Sequence, residues 1–570
     1  MISYQVLQLA RFCKEAGITK IVGSPGSRSA PILIALVRIG GIEVEMEMDE
    51  RSAAYKALGL SLALNKPVGL FCTSGTAVLN YGPAIAEAFY QNVPLFIFTA
   101  DRPAEMIDQN EGQAVRQNGI FSLHTKFSAL IPSTDGHIEA GNHTRRLLNQ
   151  ALFLALQHPQ GPVHLNFPLR EPLYPTMEID FTEINNTNQF IKTSSSRHKL
   201  NREELSELIE IWNKSGKRLV VAGQMKPEPE LNNALKALSE YGLCPVLGDC
   251  LHNLNFSDGL VLSADSFPKS FFQDSFAEPE ILLTIGNGIL SKSIRTFLKR
   301  IKPRHHWHVC ENGFPPDPYG TITRIVQADP SWFLTKLGEA SFFAQPQQKT
   351  NSESFFTHWF NKEKEVRNQV ELFSEKTGWS DLTATKSLLK NISSNTILFL
   401  GNSMPVRYAN WFSYLMKPLN LIYSNRGTSG IDGCVSTSVG IAKVYPDRLV
   451  VALVGDMSFI YDRNALWSQN LPNNLKIIVL NNAGGNIFRI IPGSGNMPEL
   501  KTYFELNQPF SAGNAARESG LEYYEVTDLS LMEKLAPAFL KSSKSGILEC
   551  FTDPEMNARV VKEFINQLET

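Results

Sequence analysis

The chain has 570 residues, too many for one hydrophobic core at roughly 150 residues per domain, so three or four domains are expected. Hydrophobic residues make up 43% and charged residues 19%, which excludes a disordered or collagenous chain. Lys and Arg number 54 against 56 Asp and Glu, a formal net charge of −2 that gives no global field for drawing in nucleic acid or an anionic membrane, and no local basic patch stands out.

At the start, Ser3 can cap a helix that carries Val6, Leu9, Cys13 and Ala16 on one face and that Gly17 stops. A signal peptide would open with a basic region and a solid apolar block instead. The longest apolar runs, such as Val93 to Ala100, are far short of the ~20 residues that span a bilayer. The seven cysteines are scattered, odd in number and without a C-x-x-C pair, as free thiols in a reducing compartment would be. A cytoplasmic location with no membrane span is expected.

Two polar, aperiodic stretches, Pro172 to His198 and Ala340 to Glu353, are expected as inter-domain linkers. They divide the chain into blocks 1–180, 198–340 and 354–570. In each block short apolar or β-branched runs alternate with helical patterns, the signature of a parallel α/β sheet. Strands are predicted at Lys20–Gly23, Val68–Cys72, Leu95–Thr99 and Val163–Phe167 in the first block, and at Arg218–Ala222 and Ile281–Ile285 in the second. In the third they are predicted at Ile397–Leu400, Leu449–Val454, Lys476–Leu480 and Ile547–Phe551. The expected fold class is α/β, with three doubly wound parallel-sheet domains.

Ligands of such sheets sit outside the C-terminal ends of strands. The unusual chemistry comes directly after strands of the outer blocks: SPGSR, TSGTA and ADR in the first, GNS, GDMS and NNAGG in the third. The middle block offers only GNG at Gly286 to Gly288, which lacks the third Gly of a dinucleotide fingerprint and reads as a strand-to-helix turn. His305, His306 and His308 have no i,i+4 pair and no Cys or carboxylate partner, so exposed loop or strand histidines are expected rather than a metal cluster.

In the third block Asp456 ends one apolar run and Asn481 and Asn482 end the next, about one crossover helix later. Gly-Asp alone is a common turn and Asn-Asn a common helix entry, but the pair, each behind a buried strand, is specific. A carboxylate, a carboxamide and a Gly-rich backbone form an oxygen-only set that suits Mg²⁺. Asp456, the Asn482 side chain and the Gly484 carbonyl are the expected metal ligands. In EVEMEMDE, Val44, Met46 and Met48 alternate with Glu45, Glu47 and Asp49, a half-buried strand with its charges outward. Continuing the alternation puts Glu50 on the apolar face. Equally, the strand can end at Asp49, with Glu50 capping the helix that begins RSAAYKALGLSLA; periodicity does not choose between the two.

The Asp456–Asn482 arrangement resembles the cofactor motif of thiamine diphosphate enzymes, which begins Gly-Asp-Gly and closes with Asn-Asn; here Met457 stands at the third position. The resemblance implies a thiamine diphosphate-binding fold, with a pyrimidine-binding domain over 1–180, a central α/β domain over 198–340 and a diphosphate- and Mg²⁺-binding domain over 354–570. It implies that Glu50 contacts N1′ of the aminopyrimidine, where a desolvated carboxyl shares a proton and activates the cofactor. These enzymes join the first block of one subunit to the third of another, so a homodimer or homotetramer is implied, with Mg²⁺ or Mn²⁺ as the metal.

Seven strings, GSPGSRSAPI, DERSAAYKALGL, TSGTAVLNYGPA, TADRP, GNSMPVR, NRGTSGIDG and NNAGGNIF, are similar to the 2-succinyl-5-enolpyruvyl-6-hydroxy-3-cyclohexene-1-carboxylate synthases of menaquinone biosynthesis. That family is a transferase family that decarboxylates 2-oxoglutarate and adds the succinic semialdehyde carbanion to isochorismate, without flavin. Both substrates carry two carboxylates, which planar guanidinium groups bind best, and Arg28, Arg102, Arg407 and Arg426 all lie just after predicted strands. The resemblance implies that Ser27, Arg28, Arg102, Gln113 and Lys292 hold isochorismate, with Gly112 where relatives often carry Asn. It implies that Asn402, Ser403, Arg407 and Arg426 face the oxoacid-derived carboxylate and the cofactor. Ile431 would bend the cofactor, and Met457, Ser458, Ile487 and Phe488 would line its pocket. Glu50, Arg28, Arg407 and Arg426 are the expected catalytic residues. Two other readings remain: an acetolactate synthase-like carboligase or decarboxylase acting on pyruvate, and a non-catalytic protein that keeps the fold. The second predicts damage at Glu50, Asp456 or Asn482, and all three are intact.

Overall fold

Strands such as Val68–Cys72 and Ile397–Leu400 are apolar and buried at every position, the pattern of a parallel strand covered on both faces. The computed structural model describes residues 2–133, 137–175, 181, 189–194, 198–242, 244–256, 259–342, 346–417, 419–468, 470–491, 493–507 and 509–569. Three six-stranded sheets result, and every pairing in them is parallel.

The first sheet holds β1 (Lys20–Gly23), β2 (Glu43–Met46), β3 (Val68–Cys72), β4 (Leu95–Asp101), β5 (Phe127–Leu130) and β6 (Val163–Pro168), in the order β2-β1-β3-β4-β6-β5. The middle sheet holds β7 (Arg218–Ala222), β8 (Val246–Gly248), β9 (Leu260–Val261), β10 (Ile281–Ile285), β11 (His305–Cys310) and β12 (Arg324–Gln327), in the order β12-β11-β10-β7-β8-β9. The third holds β13 (Ile397–Leu400), β14 (Leu421–Tyr423), β15 (Val450–Gly455), β16 (Leu475–Asn481), β17 (Glu522–Val526) and β18 (Gly546–Phe551). Its order, β14-β13-β15-β16-β18-β17, repeats that of the first. All ten predicted strands are present, and the doubly wound α/β class holds. In the outer sheets the winding reverses between β1 and β3 and between β13 and β15, the switch points where such folds bind ligands. SPGSR and TSGTA lie just after the first pair of strands; GNS and GDMS lie just after the second.

Three expectations need correction. The strand in EVEMEMDE stops at Met46, Met48 is 71% exposed, and Glu47 is only 4% exposed. Its charge is not outward: Lys56 pairs with Glu47 and, at 2.5 Å, with Glu45, while Lys443 reaches Glu45 at 2.7 Å. Buried charges persist only when paired, and here lysines from two other helices pair them. The second expected linker is in part a helix, Pro346–Lys376. Phe355, Trp359, Val366 and Val370 recur along one of its faces, fully buried in a core that joins the middle and third sheets. The first expected linker, 172–198, lies largely outside the described residues. Finally, His305, His306 and His308 lie on β11, but His306 is buried, sharing Thr284 with His308; among the described residues no group of three or more His, Cys, Asp or Glu could hold a metal ion.

The outer domains are locked together by the helices Glu50–Leu64 and Cys434–Val444, whose residues share one core cluster. Their backbones touch. A Cβ on Gly59 would lie 2.1 Å from the Thr437 carbonyl oxygen, and one on Gly440 would lie 2.2 Å from that of Lys56. Either glycine replaced by alanine would force the helices apart.

His164 on β6 is fully buried, its ring 2.7 Å from Thr99 Oγ1 and 3.4 Å from Ser128 Oγ. Burial pushes its pKa down to about 3, well below the unfolded value near 6.5. The folded state therefore binds this proton less readily than the unfolded one. The stabilisation is complete above about pH 6.5 and is lost as pH falls towards 3, at no more than about 1.4 kcal/mol per pH unit. His164→Gln, which still offers Thr99 a partner, is expected to flatten the fall of the thermal midpoint between pH 7 and pH 4; slopes equal to wild type would contradict this.

Candidate active site

The strand β15 ends at Gly455, and the next residue, Asp456, opens a short helix, Asp456–Asp462. Asp456 Oδ1 accepts from the Met457 N–H at 2.6 Å and Oδ2 from the Gly484 N–H at 2.9 Å. Among the described residues no side-chain cation is seen to offset its burial, which pushes its pKa up to about 7. One strand over, Asn482 comes directly after β16, and its Nδ2 donates to Asp381 Oδ2 at 2.8 Å. Its Oδ1 is buried with no hydrogen-bond partner. Gly484 shares this loop, where a Cβ would meet the Glu505 carbonyl oxygen at 2.4 Å. Asn486, also buried, has neither side-chain atom partnered.

Unpaired buried oxygens cost about 1–3 kcal/mol each, and a lone buried carboxylate costs more. A hard divalent cation satisfies a carboxylate, an amide oxygen and a backbone carbonyl at once, leaving coordination positions for phosphate oxygens. The donor set expected from the sequence thus fits Mg²⁺ or Mn²⁺, and the unpartnered Asn482 oxygen is available to such an ion. Around it, Ser458 Oγ donates to the Ile431 carbonyl, and Ile431 stays 39% exposed. Phe488 stacks on Phe504 at 5.6 Å, and Ile487 packs on the core beside it.

Behind β13, Ser403 has φ 71°, a strained conformation for a residue other than glycine. Asn402 is the hub of this edge: Nδ2 donates to the carbonyls of Asn425 and Gly430 at 2.6 and 2.7 Å, and Oδ1 accepts from Arg426 Nη1 at 2.9 Å. Arg407 Nη1 donates to the Ser403 carbonyl. Burial, then the nearby charge of Arg407, lowers the pKa of Arg426; burial, partly offset by Asp265, lowers that of Arg407, and Arg295 adds to both. Desolvated guanidinium groups that repel one another make a site an anion would relieve. Lys292, expected with the isochorismate-binding residues, opens the helix Lys292–Arg300 and is exposed. Arg295, one turn on, is the residue of that helix whose charge acts on Arg407 and Arg426. Sequence reasoning missed it, because a lone Arg on an amphipathic helix reads as a solvated charge.

The N-terminal edge carries the other set. Arg28, 5% exposed, donates to the Leu169 carbonyl at 2.9 Å and pairs with Glu171 at 3.4 Å; burial and then Arg102 lower its pKa. Arg102 Nη2 donates to the Gly112 carbonyl at 2.7 Å, and its Nε is buried without a partner. Gln113 Oε1 accepts from the Thr76 N–H at 3.0 Å, and Ser27 is exposed. The helix cap at 49–50 is Asp49, whose carboxylate accepts from the N–H groups of Arg51 and Ser52, so Glu50 is the first helical residue rather than the cap. Glu50 Oε2 accepts from Asn80 Nδ2 at 3.3 Å. Its neighbours hold the C-terminal domain of the same chain: Asp49 Oδ2 accepts from Asn464 Nδ2 at 2.7 Å, and Arg51 Nη2 donates to the Tyr461 carbonyl at 2.5 Å.

Glu87 was also not foreseen. It lies on the helix Gly82–Tyr90 and is fully buried. Its carboxylate accepts from the N–H groups of Gly427 and Thr428 at 2.6 and 2.7 Å and from Thr428 Oγ1 at 2.7 Å. One N-terminal carboxylate thus fixes the C-terminal loop that carries Arg426.

Family comparisons agree with this layout. The N-terminal thiamine pyrophosphate-binding domain of thiamine pyrophosphate enzymes matches residues 7–120, the middle domain 184–400 and the C-terminal thiamine pyrophosphate-binding domain 406–550. Three parallel sheets with this edge chemistry define a thiamine diphosphate enzyme. The chain is 36% identical over 554 residues to the 2-succinyl-5-enolpyruvyl-6-hydroxy-3-cyclohexene-1-carboxylate synthase of Cytophaga hutchinsonii, covering 96% of each protein. It is 35% identical over 568 residues to that of Flavobacterium johnsoniae, covering 98% of each, and 33% identical over 568 residues to that of Bacteroides thetaiotaomicron, covering 99% of this chain and 98% of that one. The chain belongs to the 2-succinyl-5-enolpyruvyl-6-hydroxy-3-cyclohexene-1-carboxylate synthase family.

Glu87→Gln keeps the size of the side chain but turns an NH₂ towards donors, at a cost of about 1–3 kcal/mol for the unpaired group. Amide hydrogen exchange at Gly427 and Thr428 is expected to speed up while that of β15 stays as in wild type; unchanged protection in the loop would contradict the clamp.

Proposed function

We propose that this chain condenses 2-oxoglutarate with isochorismate, releasing CO₂ and giving 2-succinyl-5-enolpyruvyl-6-hydroxy-3-cyclohexene-1-carboxylate, with thiamine diphosphate and Mg²⁺ (or Mn²⁺) bound. The observation that carries this reading is the desolvated arginine pair, Arg407 and Arg426, on the same sheet edge as the orphaned Asn482 oxygen, with the charge of the exposed Arg295 acting on both. Pyruvate, with a single carboxylate, would leave such a cluster without a second anionic partner. When bound, thiamine diphosphate supplies the nucleophilic carbon and the electron sink for decarboxylation.

The residues divide the work. Asp456, the Asn482 side chain and the Gly484 carbonyl hold the cation. Glu50 would hold the proton at the aminopyrimidine N1′, and Ile431, with Met457, Ser458, Ile487 and Phe488, would line the cofactor pocket. Arg407 and Arg426, with Asn402 and Ser403, bind the oxoacid-derived carboxylate. Ser27, Arg28, Arg102, Gln113 and Lys292 bind isochorismate. In this reading 1–180 serves the pyrimidine and 354–570 the diphosphate.

The site is shared between two copies of the chain, in a homodimer or homotetramer. Large apolar side chains gather at the edge near Glu50: Met48 (71% exposed), Leu79 (52%), Tyr461 (51%) and Trp467 (50%). Leu79 precedes the Asn80 that bonds Glu50, and Trp467 precedes the Ser468 that bonds Glu47. Apolar surface around a catalytic acid favours cover by another subunit. All seven cysteines are free, which supports a cytoplasmic location, and among the described residues no helix is long and apolar enough to cross a membrane.

Isochorismate absorbance is expected to fall only when 2-oxoglutarate, thiamine diphosphate and Mg²⁺ are all present; turnover of pyruvate without isochorismate would contradict the reading. Glu50→Gln should nearly abolish the reaction, because an amide cannot relay the proton. Mixing inactive Glu50→Gln protein with inactive Asn482→Ala protein should restore activity if each site draws on two chains, and no recovery would place both residues in one chain's site.

A further inference from the structure

Asn482 can serve as a metal ligand only if its oxygen, not its NH₂, faces the cation, and a free carboxamide has no strong preference. The structure shows what imposes one. Asp381 opens the helix Asp381–Asn391 and is 1% exposed, outside every motif at the sheet edges. Its backbone N–H, which can only donate, is 2.8 Å from Asn557 Oδ1. That fixes the Asn557 amide, so its Nδ2 donates to Thr552 Oγ1 at 2.9 Å. Thr552 Oγ1 in turn donates to Asp381 Oδ1 at 2.6 Å. The remaining oxygen, Asp381 Oδ2, can only accept, and it takes the Asn482 Nδ2–H at 2.8 Å. The polarity of three hydrogen bonds is thus set from one backbone N–H, and the carboxylate sets the fourth. At the end of the relay Asn482 Oδ1 is left buried and unpartnered.

We infer that Asp381 is a positioning residue for cation binding: it holds the Asn482 amide with its oxygen towards the metal site, and acts on the cation only through Asn482. This deepens the proposed function and rests on its cation site. Asp381→Asn keeps the volume but breaks the relay. Thr552 still donates to one side-chain oxygen, so the new NH₂ faces Asn482, whose amide must turn its oxygen towards Asp381's position and its NH₂ towards the cation. Loss of an outer partner of a metal ligand typically costs 10–100-fold in affinity. Exchanging the pair, D381N with N482D, restores a donor on one side and a carboxylate on the other, with the net charge unchanged.

The test is Mn²⁺ binding with thiamine diphosphate present, monitored by electron paramagnetic resonance of the free ion, alongside thermal unfolding of the cation-free proteins. D381N is expected to bind Mn²⁺ about tenfold or more weaker than wild type, and D381N/N482D to regain most of that loss. Binding by D381N within about twofold of wild type, or a double variant no tighter than D381N, would overturn the inference. A lowered thermal midpoint with unchanged Mn²⁺ affinity would make Asp381 merely structural and overturn it too. If D381N does not fold, the exchanged pair decides alone: folded and binding supports the relay, folded without binding refutes it. Wild-type protein that takes up no Mn²⁺ would instead remove the cation site of the proposed function, and this inference with it.

Discussion

Two buried oxygens at the ends of adjacent strands impose the constraint on which the site is built. Asp456 behind β15 and Asn482 behind β16 are presented by a register that puts Gly455 beside Leu480. The sheet withdraws both from water, and the protein supplies Asp456 with backbone N–H donors alone and the Asn482 oxygen with none. Stability by itself would select against such a pair, because each unsatisfied group costs free energy. A divalent cation in the gap, as proposed, would make the burial favourable.

The rest of the chain supports that edge. The arginines behind β13 and β14 are held by local devices: Asn402 bridges two loops, strained Ser403 offers its carbonyl to Arg407, and Glu87 grips the Arg426 loop from the other domain. The helices Glu50–Leu64 and Cys434–Val444, touching through Gly59 and Gly440, tie the turn that carries Glu50 to the C-terminal sheet. The paired Glu45, Glu47, Lys56 and Lys443 sit in the same joint. Such a buried network is a poor source of net stability, but it specifies one relative placement of the two domains. Catalysis that depends on positioned charges requires that kind of rigidity.

The strands and their C-terminal loops were legible in the sequence for a simple reason. A parallel strand covered on both faces is a short continuous apolar run, and the loop at its C-terminal end is exposed at the ligand edge. Asp456 and Asn482 directly follow such strands and Arg407 lies in the helix after another, whereas Arg426 follows β14, a three-residue strand that was not predicted. Residues that act across the fold were not legible. Asp381 looks like an ordinary helix-opening acid, and only its contact with Asn482, 101 positions away, gives it meaning. Glu87 looks like a surface acid until the loop at Gly427 folds onto it, and Glu47 was read as solvated because Lys56 was not seen to turn inward. The Pro346–Lys376 helix was hidden because its first turns are polar and its apolar stripe begins later.

Everything returns to whether the oxygen pair needs a cation before the cofactor can bind. Calorimetric titration of thiamine diphosphate into metal-stripped protein, with and without Mg²⁺, measures this directly. The account predicts heat of binding with Mg²⁺ and almost none without it, and none in Asp456→Ala at any Mg²⁺ concentration used for wild type. Equally tight binding in the absence of a divalent cation, or by the Asp456→Ala protein, would contradict it.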